Sequence, residues 1–141
     1  MKHLLVLASL IAVSSQTATA SRAKPLFEIR YGSEVAAPIK EIEVHNNGAY
    51  TVTSFDADGR VTDTVRSSLD KRDLAKIRAA LRTAEWDITY SRMMCFAYSP
   101  NFTQYLVRDR LMYTARMCSG ARVDDATQRS LATIESILAV H

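Results

Sequence analysis

The chain has 141 residues, with 18 Lys+Arg against 15 Asp+Glu for a net charge of +3, and 48% of it is apolar. That supports one domain with its own core. The charges are interspersed with no run of five or six alike, which excludes a nucleic-acid footprint and a polybasic membrane patch.

The first segment reads as an export signal. Lys2 and His3 give a positive start, Leu4 to Val13 is apolar except for Ser9, and small polar residues lead to Ala18-Thr19-Ala20. These are the three regions of a secretory signal peptide, with cleavage expected after Ala20. The apolar run is about half of the roughly 20 residues a spanning helix needs, and no Cys stands at the cleavage point for a lipid anchor. Residues 1–20 are therefore assigned to a signal peptide and 21–141 to a single domain, exported to the periplasm or the medium, with no membrane span in the mature part. Lys2 leaves with the signal, so 17 basic residues face 15 acidic ones in the 121 that remain.

Residues 26–31 and Ile39 to His45 alternate apolar and polar, as strands with one buried face do. In the second run Ile42 and Val44 point one way, and Glu41 and Glu43 point to solvent. Asn46-Asn47-Gly48 supplies positive-φ residues for a tight hairpin turn. Ala49 to Phe55 returns as a strand rich in Tyr, Val and Thr. The turn Asp56-Ala57-Asp58-Gly59 leads into another strand, Arg60 to Arg66. That turn opens like a calcium loop but lacks the later alternating ligands, and its twelfth position is Ser67 rather than Glu. A plain turn accounts for it.

A helix follows, with Asp70 as N-cap, Asp73 in a capping-box-like place and Leu69 and Leu74 as a hydrophobic staple. Leu74, Ile77 and Leu81, with Ala80 and Ala84, form its apolar stripe. Arg72, Lys76, Arg78 and Arg82 form its solvated side. Residues 87–101 read as a connecting loop. Phe102 to Arg108 and Leu111 to Cys118 read as two strands folded about Asp109, with Arg108 opposite Leu111. A second helix starts near Asp124, with the stripe Thr127, Leu131, Ile134 and Leu138 supported by Ile137. Asp124 and Asp125 sit at its N-terminus, where free N–H groups and the helix dipole favour carboxylates. The order β-β-β-β-α-β-β-α predicts an α+β fold, a mostly antiparallel sheet with two helices packed on one face.

Cys95 and Cys118 are the only cysteines. In an exported chain an even pair reads as a disulfide, and closing that loop is worth about 3 kcal/mol on the chain-entropy model. The spacing is not C-x-x-C, and no His stands beside them to complete a zinc site. The expected bridge pins the loop carrying Cys95 to the hairpin. Met93, Met94, Met112 and Met117 gather around the two cysteines as soft filler of irregular gaps.

Catalytic chemistry has little to draw on. After cleavage only His45 and His141 remain, one beside a turn and one at the terminus, and neither shows nucleophile or metal spacing. No cofactor or metal motif occurs. The residues best placed for contact are Arg108, Asp109 and Arg110 at a hairpin tip, where small exported proteins often present binding surfaces. Asn101-Phe102-Thr103 is a glycosylation sequon, relevant in a host that glycosylates.

The order of elements carries a resemblance. Extended segments precede Leu69-Asp70, Asp73-Leu74, Ile77, Leu81 and Ala84-Glu85-Trp86. Thr103-Gln104-Tyr105-Leu106-Val107 and Leu111-Met112-Tyr113-Thr114 then lead to a short closing helix. This series, spanning most of residues 26–139, resembles the emfourin-like (protealysin-inhibitor-like) domains. The resemblance implies a β-rich domain that binds a metalloprotease; Cys95 and Cys118 depart from it, and no inhibitory residue carries over. The expected function is a small exported binding protein with a protein partner, a protease inhibitor in its sharper form. The alternatives are a structural or interaction module of the envelope and a small hydrolase.

Overall fold

In a computed structural model, residues 23–92, 99–117 and 119–140 are described. The expected signal peptide and both members of the expected Cys95–Cys118 bridge lie outside them. The elements are β1 (Phe27–Ser33), β2 (Ala36–Val44), β3 (Ala49–Phe55), β4 (Val61–Ser68), α1 (Lys71–Thr83), β5 (Ile88–Tyr90), β6 (Asn101–Val107), β7 (Arg110–Arg116), β8 (Ala121–Val123) and α2 (Asp125–Val140). Six strands form one sheet in the order β4-β3-β2-β1-β6-β7, antiparallel at each pairing. The fold is α+β, with the strands in the expected succession. Two further strands pair as a small separate sheet, β5 inside the expected loop 87–101 and β8 just before α2.

The turns follow from local chemistry. Between β2 and β3, Gly48 alone takes positive φ, at 87°, and its N–H donates to the His45 carbonyl at 3.0 Å. Asn46 and Asn47 stay out of the left-handed region, so this is a turn closed by one left-handed glycine, not a run of positive-φ residues. In the next turn the Asp56 carboxylate accepts from the N–H groups of Asp58 and Arg60 at 2.9 and 2.8 Å. Asp56 thus serves as a turn residue. Among the described residues, no three His, Cys, Asp or Glu gather as metal ligands.

Helix α1 starts where the cap predicts: Asp70 accepts from the Asp73 N–H at 2.7 Å, and Lys76 reaches the Asp73 carboxylate at 2.8 Å. Leu74, Ile77 and Ala80 are buried, as are Thr127, Ser130, Leu131 and Ile134 of α2. These faces meet Phe27, Ile29, Ile42, Val44, Tyr50 and Tyr105 of the sheet in one core. Every one of those strand residues lies on the same face of the pleat, so the helices cover that face. Thr83 and Ser130 share a hydroxyl hydrogen bond of 3.2 Å between the two helices.

The β6–β7 register differs from the expectation. Val107 pairs with Arg110, and a bulge shifts the ladder between Tyr105 and Leu106. Arg108 and Asp109 form the two-residue loop, with φ of 50° and 65°, the signature of a primed hairpin turn. Among the described residues no helix is long and apolar enough to cross a membrane.

Candidate functional site

A cavity of about 910 Å³ opens between α2, the middle of the β6–β7 hairpin and the small β5–β8 sheet. Its roof depends on one glycine. Ser91 donates its N–H to the Gly120 carbonyl at 2.8 Å, and Gly120 has φ of 67°. A Cβ at position 120 would lie 2.3 Å from the Ser91 carbonyl oxygen, so only glycine allows this approach. The Tyr113 hydroxyl donates to the Ala121 carbonyl at 3.1 Å and ties the small sheet to β7.

The inner wall is aromatic. The Tyr105 and Tyr113 rings are parallel within 5°, with centroids 6.1 Å apart, and Phe27 stacks on the far side of Tyr105 at 6.4 Å. The Tyr105 phenol donates to Glu135 Oε1 of α2 at 2.7 Å. Burial first, and that bond to a carboxylate second, push the phenol well above its ordinary range. Tyr113 is also raised by burial, against the pull of Arg122.

The rim is the start of α2. Asp124 is the N-cap: it accepts from the Thr127 hydroxyl at 2.6 Å, from the Thr127 N–H at 2.7 Å and from the Asp87 N–H at 3.0 Å. Those bonds, the Thr127 hydroxyl foremost, hold its carboxyl below the usual range. The capping role expected for this pair thus falls on Asp124, while Asp125 is the first helical residue. The Thr127 hydroxyl in turn accepts from the Trp86 N–H at 2.8 Å, which anchors a tryptophan in the left-handed region at φ of 58°.

A second cluster lies on the sheet face turned away from the helices. Arg30 bonds to Glu28 and reaches Glu41 at 3.2 Å, and His45 stands 3.7 Å from Glu43. Glu28 is only 2% exposed, because β1 is a central strand and Glu28 sits between Glu43 and Leu106. Burial raises its carboxyl above the ordinary value, and Arg30 opposes the shift. Glu41 and Glu43 share this face, as expected, but are partly covered rather than free in solvent.

Arg108, Asp109 and Arg110 are exposed at the hairpin tip, with Asp109 3.6 Å from Lys24. None of the three lines the cavity. The cavity residues that sequence reading missed are Tyr105, Tyr113, Arg122 and Glu135. Their one sequence signal is that Glu135 follows Leu131 by four positions, on the flank of the α2 stripe. No family model, curated protein or solved structure matches the chain.

Proposed function

We propose that this chain is an exported, non-enzymatic binding domain that engages a protein partner, and that an extracellular protease is that partner. The observation that carries the reading is the state of the cavity's titratable groups. Tyr105, Tyr113, Glu135 and Asp124 are each engaged in hydrogen bonds that fix the wall and rim. A preformed polar concavity of this kind suits recognition, because little ordering cost is left to meet on binding. The features a hydrolase would call on, a carboxyl raised by burial and a histidine, stand elsewhere. Glu28 is held by Arg30 and His45 faces Glu43, both on the sheet face turned away from the helices.

The Cys95–Cys118 bridge belongs to the same proposal. The Ser91–Gly120 hydrogen bond brings together chain positions four residues before Cys95 and two after Cys118. Non-reducing mass spectrometry of the exported protein tests it, the expected result being the loss of two hydrogens relative to the reduced form. A sheet-edge module is the second reading. It is favoured by β4, an edge strand with Val61 59% and Val65 48% exposed, the kind of edge that pairs with another strand.

The deciding experiment titrates the processed domain, residues 21–141, against a panel of extracellular proteases, metalloproteases included. Stoichiometric loss of protease activity without cleavage of the domain is the expected result. Indifference across the panel, or rapid digestion of the domain, overturns the protease assignment.

A further inference from the structure

The cavity beside α2 carries a charge opposite in sign to that of the whole chain. Asp124, Asp125 and Glu135 line it against one guanidinium, Arg122, whereas the full sequence is net positive. A helix N-terminus ordinarily draws an anion. Here the chain supplies that anion itself: the Asp124 carboxylate takes the Thr127 N–H and hydroxyl and the Asp87 N–H. An incoming anion would meet a carboxylate already in its place.

Glu135 has a different standing. Tyr105 donates to one of its oxygens, and an ionised carboxylate offers roughly four lone-pair sites, so it keeps acceptor capacity beside the cavity. The tyrosine proton stays in place across the ordinary pH range, which makes the phenol a constant donor that fixes the Glu135 side chain. The Tyr105–Tyr113 pair adds an aromatic wall that packs against alkyl stems, and because the faces of Tyr105 are taken by Phe27 and Tyr113 the charge itself falls to Glu135.

We propose that this cavity is a binding site for an organic cation on an apolar stem, a guanidinium or ammonium, with Glu135 as its charge partner and the Tyr105–Tyr113 wall beside its stem. The inference deepens the binding reading and rests on it. The same head group arrives either on an arginine or lysine side chain of a protein partner or on a free polyamine.

The test is a residue-resolved NMR titration of the processed protein with N-acetyl-arginine amide, its neutral isostere N-acetyl-citrulline amide, spermidine, and a short peptide with one central arginine. Saturable shifts at Thr89, Gln128 and Glu135 with the arginine probe, and none with citrulline, are expected. Glu135→Gln keeps an acceptor for the Tyr105 phenol but removes the charge. It should weaken the arginine probe by about ten-fold, the loss expected for one charged hydrogen bond. A peptide tighter than the amide identifies a partner side chain as the source, and spermidine tighter than both identifies a free polyamine; each outcome supports the site. Equal binding of citrulline, unchanged affinity in Glu135→Gln, or no saturation at these residues overturns it. A protease captured by a domain that binds no cation would leave the binding reading standing and remove this inference alone.

Discussion

Replacing Thr127 by Val removes one hydroxyl from the joint between the two helices and should cost the fold about 2 kcal/mol. Thr127 is fully buried. Its hydroxyl accepts from the Trp86 N–H at 2.8 Å and donates to Asp124 at 2.6 Å. Trp86 sits at φ of 58°, a conformation that costs a residue with a Cβ roughly 1–2 kcal/mol, so the hydrogen bond holds the backbone where it would not rest by itself. Valine matches the shape, adds no void, and leaves the Trp86 N–H without its acceptor, a penalty of about 1–3 kcal/mol. For a domain of this size 1 kcal/mol moves Tm by about 4 °C, so a fall of about 8 °C is expected. The assay is thermal unfolding at neutral pH followed by circular dichroism, with the fluorescence of the single tryptophan as a local probe. Thr127→Ser keeps the hydroxyl and loses a methyl worth about 0.8 kcal/mol, so it should fall less. A Thr127→Val protein as stable as wild type, or one more stable than Thr127→Ser, would show that the hydroxyl does not hold Trp86 in place.

Three more outcomes are expected. Burial raises the Glu28 carboxyl above its ordinary 4.5, so the fold favours the protonated form. Its contribution is fully present below that value and is lost as pH rises through the folded one. Glu28→Gln should therefore raise Tm at pH 7, and the gap to wild type should close in acid. Asp124 has the opposite sign: its carboxyl is lowered, so its stabilisation is present above the unfolded value and lost as pH falls through the folded one, and Asp124→Asn should flatten the acid limb of a Tm–pH profile. A Cβ at Gly32 would lie 2.5 Å from Phe102 Cζ. Gly32→Ala should cost about 1–3 kcal/mol by pushing that ring away, and a double-mutant cycle with Phe102→Ala should show the two losses overlapping.

The parts legible in sequence are those built from neighbours in the chain. Asp70 caps α1 through a residue three positions on, and the β2–β3 hairpin closes through Gly48. What was hidden depends on distant partners. The strands β5 and β8 have three residues each, and pair Thr89 with Arg122 across the intervening chain, too short for periodicity to register. Glu28 reads as a surface residue of an alternating strand, yet it is buried in a central strand between Glu43 and Leu106, partners that alternation does not reveal. Alternation places the hairpin tip one residue too far along, since the bulge between Tyr105 and Leu106 leaves no mark in it. The cavity was missed for the same reason: Tyr105 and Glu135 meet only after β6 and α2 have packed.

The proposed binding of a protein partner at the cavity beside α2 is tested most directly at the cavity's rim. Ala132 lines that cavity and is exposed, so Ala132→Trp fills the opening without touching the core. The direct measurement compares wild type and Ala132→Trp in the protease titration, with thermal unfolding confirming that both are folded. Stoichiometric inhibition by wild type, weakened at least about ten-fold in Ala132→Trp, is the predicted result, a loss of the size expected for a blocked hot spot. Equal inhibition by both proteins would place the partner on another surface, and a wild type that binds none of the proteases would contradict the account.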